Sequence, residues 1–298
     1  MGTVFAGRIF RRILTGIAVT IVVMVATIIA LSEWRVRRQH DVPLPSFAAG
    51  NAPLDTTEGR RLAILVGCLE GCHGREGEGG TERADGIFAA TAPTLSAVLP
   101  SYSDAELVRL LRFGVRRDGR SAVGMPSATF YPMSDGDLRA LIGYLRLLPP
   151  RPAIAREMRI EAAGRVALAL GLWKTSADMV DRRRPRLGDR PLTSPEARGR
   201  YLASIICSEC HGLDFQGDGF TKAPPLGIVR GYSEGEFATL LRTGVPRDGR
   251  TLDRLMGVVM PRALVQLTDA EVRALWLFAR ALPTGGGVAP AGDGATTP

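Results

Sequence analysis

The chain has 298 residues, of which 45% are hydrophobic but only 6% aromatic, and it carries a formal net charge of +8. That length accommodates one to three domains, and so few aromatic rings leave two small cores short of apolar bulk unless a cofactor fills them. The positive charge is almost all arginine, the lysines being Lys174 and Lys222; it favours acidic partners or anionic lipid, and since no nucleic-acid-binding signature accompanies it, nucleic acid is set aside as a partner.

In chain order, the first predicted element is the uncharged run Ile13 to Leu31. As a helix it is roughly 28 Å long, the thickness of a bilayer's hydrocarbon core. Arg8, Arg11 and Arg12 precede it, and Trp34, Arg35, Arg37 and Arg38 follow. A cleavable signal peptide has a shorter apolar core, about 7–15 residues, so residues 1–40 are read as a retained membrane anchor. The flanking arginines are nearly balanced and do not set its orientation. From residue 55 a helical segment opens at Gly59-Arg60-Arg61-Leu62-Ala63 and runs into Cys68-Leu69-Glu70-Gly71-Cys72-His73. A Gly-rich stretch, Ala92-Pro93-Thr94-Leu95, a helix capped by Ser103, Asp118-Gly119-Arg120 and a helix capped by Ser134 complete a unit ending at Pro149-Pro150. Residues 151–190 link this unit to the next; Ile160 to Trp173 is apolar and reads as a helix packed between the two units, too short to span a membrane. Asp181 to Arg186 reads as a solvated basic loop.

The second unit, residues 191–284, repeats the first. Gly199-Arg200-Tyr201-Leu202-Ala203 leads to Cys207-Ser208-Glu209-Cys210-His211, then Ala223-Pro224-Pro225-Leu226, a helix capped by Ser233, Asp248-Gly249-Arg250 and a helix capped by Thr268. So many matched landmarks indicate two copies of one small helical domain. Neither copy shows an alternating strand pattern, and the fold class is all-α. Gly59 and Gly199 are expected to let the first and last helices of each copy cross closely, against Tyr144 and Phe278. Residues 284–298, rich in Gly, Ala, Pro and Thr, read as a disordered tail.

Cys207-x-x-Cys210-His211 has the spacing at which c-type haem is attached: two thiols add to the haem vinyl groups, and the adjacent His is an axial ligand. Cys68 and Cys72 have one extra residue between them, which must bulge if both sulfurs are to reach one haem edge. The chain has four cysteines and both pairs are followed by His, leaving none for a separate disulfide. Each cluster offers three adjacent ligands, one short of a structural zinc site.

On these residues both repeats resemble class I cytochrome c domains. The second carries GRYLASIICSECHG, APPL, LLRTGVPRDGR and LTDAEVRAL; the first carries GCHG, APTL, GVRRDGR, MPS and MSDGDLRALIGYL but departs at Cys68–Cys72. The whole chain resembles membrane-anchored dihaem cytochromes c of bacterial respiratory or photosynthetic chains. The resemblance implies an N-terminal transmembrane helix followed by two tandem cytochrome c domains (55–150 and 191–284), with two haem c groups on Cys68, Cys72, Cys207 and Cys210. It implies His73 and His211 as axial ligands opposite Met125 and Met256, with Met260 as the alternative in the second repeat and Met133 a weaker candidate in the first. Pro93 and Pro224 would offer their carbonyls to the ligating His rings. His/Met ligation closes both axial positions, which favours electron transfer over catalysis. Haem attachment outside the cytoplasmic membrane would place the repeats in the periplasm, with a dehydrogenase, a quinol-oxidising complex or a terminal oxidase as redox partners. The competing readings are a dihaem peroxidase-like enzyme, a single-haem carrier with a structural first domain, and a purely structural subunit.

Overall fold

The computed structural model describes residues 2–47, 55–219, 221–253 and 255–284; the tail expected to be disordered lies almost wholly outside them. The chain opens with one long helix, α1 (Gly2–Arg37). Within it Phe10–Arg37 is long and apolar enough to cross a membrane, with a mean hydropathy of 2.7 over its most apolar window, none of which is buried by the rest of the chain. Beyond α1 the chain crosses the turn made by Asp118-Gly119-Arg120. Gln39 bridges Arg120, and the His40 amide donates to the Gly119 carbonyl at 2.9 Å.

The first repeat is built from α2 (Thr56–Leu65), strands β1 (Gly80–Ala84) and β2 (Phe88–Ala92), α3 (Leu95–Val98), α4 (Asp104–Phe113), α5 (Ser127–Phe130) and α6 (Asp135–Leu145). The linking region holds β3 (Glu157–Ile160), α7 (Ala162–Leu170) and α8 (Ser176–Met179). The second repeat holds α9 (Pro195–Leu202), α10 (Ser208–His211), α11 (Glu234–Thr243), α12 (Met260–Leu264) and α13 (Asp269–Ala281). A π-helical turn over Ala203–Cys207 joins α9 to α10. Another, over Leu255–Val259, leads into α12.

Local chemistry sets the helix ends. Ser103 and Ser233 cap α4 and α11 in capping boxes with Glu106 and Glu236 three residues on. Both helices stop at a left-handed glycine, Gly114 and Gly244. Thr268 caps α13 in a capping box with Glu271, and the Ser134 hydroxyl caps α6 by accepting from the Asp137 amide. In each Asp-Gly-Arg turn the Asp carboxylate accepts from the Arg amide (Asp118–Arg120 3.1 Å, Asp248–Arg250 3.3 Å) and the glycine takes positive φ, so this shared motif is a turn device.

In each repeat the first helix crosses the last at a glycine. A Cβ on Gly59 would collide with the Ala140 carbonyl and Tyr144, and one on Gly199 with the Ala274 carbonyl and Phe278. The expected close crossings of α2 with α6 and of α9 with α13 are therefore present.

Two features differ from the sequence reading. The protein is mostly helical, yet β1, β2 and β3 form an antiparallel sheet in that order. The hairpin turns at Asp85-Gly86-Ile87, with Gly86 at positive φ and Ala84 paired with Phe88, a three-residue loop whose Asp-Gly pair is a hairpin signal. The strands went unseen because GTERA and FAATA lack an apolar/polar alternation and hold one β-branched residue each, Thr81 and Thr91. Second, the linker helix α7 does not sit between the repeats. It packs on the last turns of α1: Arg165 donates to Glu33 at 2.7 Å and to the Ser32 hydroxyl at 3.1 Å. Gly164 lies against the Ile87 carbonyl in the hairpin turn.

The repeats instead meet each other directly, through reciprocal positions. Tyr201 in α9 accepts a hydrogen bond from the Ser134 amide at 3.1 Å and donates to Asp137, both in the cap of α6. Arg61, its counterpart in α2, donates to Glu271 at 2.7 Å and to the Gln266 carbonyl at 3.3 Å, at the cap of α13. Arg198 holds the other Glu271 oxygen at 2.9 Å. Each repeat thus uses one position to grip the last-helix cap of the other, as in an isologous two-fold interface.

Candidate functional site: two Cys–His motifs

The second motif sits at the end of a continuous helical path, α9, the π-turn and α10. The π-turn adds one residue to a helical turn, and the Ser208 hydroxyl closes it by donating to the Ser204 carbonyl at 2.7 Å. The first motif follows a broken path. α2 stops at Leu65, Gly67 is left-handed, and Glu70 takes φ +60. The Glu70 amide donates to the Gly74 carbonyl at 3.0 Å, and the Gly74 amide to the Gly71 carbonyl at 3.0 Å. The extra residue between Cys68 and Cys72 is therefore accommodated in a tight loop that includes a non-glycine left-handed residue, an uncommon conformation.

After the histidines the two motifs converge. Gly74 and Gly212 follow His73 and His211, both at positive φ. The Gly79 and Gly217 amides donate to the carbonyls of His73 and His211, each at 2.8 Å. The amides of Leu95 and Leu226 donate to the carbonyls of Gly77 and Phe215 at 2.8 and 2.9 Å. These bonds bring Pro93 and Pro224 over the rings: His73 Nδ1 lies 2.9 Å from the Pro93 carbonyl, and His211 Nδ1 lies 2.8 Å from the Pro224 carbonyl. A carbonyl only accepts, so Nδ1 carries the proton in both rings and Nε2 is left with its lone pair. Burial holds both histidines below the usual imidazole range, against the bond to the proline carbonyl, and so favours the neutral ring a metal needs.

Thr94 was missed by the sequence reading although it helps hold the Pro93 carbonyl in place. It is fully buried, its hydroxyl lies 2.8 and 2.9 Å from the carbonyls of Glu78 and Pro152, and it accepts from the Ile154 amide at 2.9 Å. The signal was its place directly after the repeated proline.

The thiols are unbonded. Burial pushes Cys68 and Cys207 up to about 12 and Cys72 and Cys210 up to about 11. Among the described residues no group of three or more His, Cys, Asp and Glu side chains is arranged to hold a metal ion directly. Two thiols and one adjacent histidine are one ligand short of a structural zinc site and match the set that attaches a haem covalently. The Ser208 hydroxyl lies 3.5 Å from Thr129 in α5. The second motif therefore borders the contact between repeats.

Met125 packs partly buried against the core just ahead of α5, while Met133 is wholly buried. Met133 also supplies the carbonyl that Arg112 grips at 2.7 Å, beside Asp135 at 2.6 Å. Met256 and Met260 are both partly buried against the core, the first within the π-turn and the second opening α12.

In sequence the chain is 26% identical over 260 residues to the cytochrome c subunit of alcohol dehydrogenase (quinone) from Gluconacetobacter polyoxogenes, and equally to that of Komagataeibacter europaeus. Each alignment covers 75% of this chain and 54% of the relative, so the chain spans about half the length of the curated relatives it matches. No protein-family model matches it.

Proposed function

We propose that the protein is a membrane-anchored electron-transfer subunit carrying two covalently attached haem c groups, one in each of two cytochrome c domains (55–150 and 191–284), and that it serves as the cytochrome c part of a dehydrogenase complex. The observation that carries this reading is the matched presentation of His73 and His211, each with Nδ1 on a proline carbonyl and each beside a pair of unbonded thiols. When bound, a c-type haem supplies reversible one-electron oxidation and reduction at its iron.

Cys68 and Cys72 in one repeat, and Cys207 and Cys210 in the other, would form the thioethers. Pro93 and Pro224 fix ring orientation and tautomer at His73 and His211 and raise the basicity of Nε2. Met125 and Met256 would also hold the iron, with Met260 the alternative to Met256. The chain's work is to bind, orient and shield the groups. The direct contact between the repeats, with Ser208 of the second motif 3.5 Å from Thr129 of the first repeat, supports passage of electrons between them. The relatives' name supports a quinone-linked dehydrogenase as the partner. The anchor helix supports attachment to the cytoplasmic membrane, with the repeats on the periplasmic side, where c-type haem is attached.

Pyridine haemochrome absorbance and intact mass on the purified full chain test the reading. Two haems per chain are expected. One haem on Cys207 and Cys210 alone would leave a single-haem carrier with a structural first repeat, and none would overturn the proposal. Carbon monoxide should leave the spectrum of the reduced protein unchanged; a large response would favour a peroxidase-like enzyme.

A further inference from the structure

A helix on the surface of a water-soluble domain normally turns charge toward solvent. α7 does not. Its outward face is Ala162, Ala163, Val166 and Leu170, spaced as one helical stripe and all exposed. Leu170 is 67% exposed and Leu172, just past the left-handed cap Gly171, is 80% exposed. The charged side chain of α7, Arg165, is turned away to Glu33 and Ser32. Inward, Gly164 and Leu168 are buried, and Trp173 stacks on Phe88 at 5.6 Å, fixing the segment to the sheet.

The place of this stripe identifies what covers it. The uncharged run of α1 ends at Leu31, and α7 touches the turn that follows. Arg165, near the middle of α7, reaches residues 32 and 33, while Gly171, its C-terminal cap, lies against the Arg35 guanidinium. The middle of α7 and its C-terminal cap thus meet side chains from a single turn of α1, so α7 packs on α1 where the apolar span gives way to charge. A helix in that position, with an apolar stripe outward and Lys174 exposed just beyond it, matches an interfacial helix lying in the plane of the bilayer.

We infer that α7 and Leu172 form a second membrane contact, an interfacial patch in which Val166, Leu170 and Leu172 enter the boundary between lipid headgroups and acyl chains beside the anchor. The inference rests on α1 being a membrane span. The patch would give the protein two points of attachment and fix the tilt of the globular part over the lipid surface, which a single flexible anchor does not.

The test uses the full chain with its haem, reconstituted in vesicles of phosphatidylethanolamine and phosphatidylglycerol. A photoreactive benzoylphenylalanine replaces Leu172, Val22 in the centre of α1, or Asp248 in an exposed turn of the second repeat, one at a time, and adducts are read by intact mass after illumination. Lipid adducts at 22 and 172 with none at 248 are the expected result. A lipid adduct at 22 with none at 172, or a protein adduct at 172, overturns the interfacial patch while leaving the anchor in place. No lipid adduct at 22 overturns the anchor, and the patch falls with it.

Discussion

The grip of Arg61 on Glu271 is the contact between repeats whose loss can be sized most directly. Arg61 is 18% exposed and Glu271 9%. An exposed ion pair contributes roughly 0–1 kcal/mol, whereas removing one partner of a buried pair costs about 3–5 kcal/mol because the other charge is left unpaired. Arg61→Met lies between these limits, since Glu271 keeps Arg198 at 2.9 Å and the Thr268 cap. A loss of about 2 kcal/mol is expected. For a globular part of this size that lowers Tm by about 4–8 °C, measured as the loss of helical circular dichroism in the haem-loaded protein. Arg61→Met with Glu271→Gln should cost less than the two single changes summed, by about 1 kcal/mol or more. Acid should act at the same point. Burial pulls Glu271 upward, but its bonds to Arg61, the Thr268 amide and Arg198 outweigh burial and hold it below the usual carboxylate range. A group with a depressed folded pKa stabilises above its unfolded value and loses that contribution as pH falls through the folded one, so the contact should weaken as pH drops below about 4.5, and Glu271→Gln should flatten that part of the profile. A Tm shift under about 1 °C for Arg61→Met, with full additivity in the double variant, would refute the grip as an energetic link between the repeats.

Gly199→Ala drives a methyl into the Ala274 carbonyl, which is backbone and cannot rotate away; a loss of about 1–3 kcal/mol is expected, seen as a lower urea midpoint, and an unchanged midpoint would mean the helices part freely. Cys72→Ala should leave haem attached through Cys68 alone, shifting the pyridine haemochrome band to longer wavelength in proportion to that one site; an unshifted band would show that the first motif carries no thioether from Cys72. Met256→Leu should lower the midpoint potential of one haem and open it to carbon monoxide, while Met260→Leu leaves both unchanged; the reverse pattern assigns Met260 as the ligand.

Much of the chemistry was legible because the motifs are local. Spacing of thiols and imidazole and the N-caps each depend on a few neighbouring residues, and the sequence displays them directly. The close crossings at Gly59 and Gly199 were legible because the repeat showed the same small residue twice. What escaped was set by distant partners. β2 is a strand because β1 and β3 pair with its two edges, and nothing in GTERA or FAATA alone announces it. α7 was recognised as an apolar helix, but its partner is decided by the Arg165–Glu33 and Arg165–Ser32 pairs across 132 and 133 residues of chain. The Tyr201–Asp137 and Arg61–Glu271 contacts lie at matched positions with unlike residues, so the repeat itself concealed them.

These distant contacts order the molecule along one direction. The segment after α1 is tied to the first repeat and the linker: His40 to Gly119, Arg38 to Asp178, and Arg109 to the Val42 carbonyl at 3.4 Å. The second repeat is gripped by the first through the caps of α6 and α13. In the proposed reading a partner in the membrane meets the first repeat, a partner in solution has access to the second, and traffic between them crosses the junction where Ser208 meets Thr129. In the proposed reading this separates two kinds of damage. Changes at Cys68, Cys72 or His73 alter the spectrum of one haem, whereas loosening Arg61 or Tyr201 leaves both spectra intact and slows transfer between them. A variant with two normal haem spectra and impaired electron flow is therefore the signature that the contact between the repeats, and not the ligation of either haem, sets the pace.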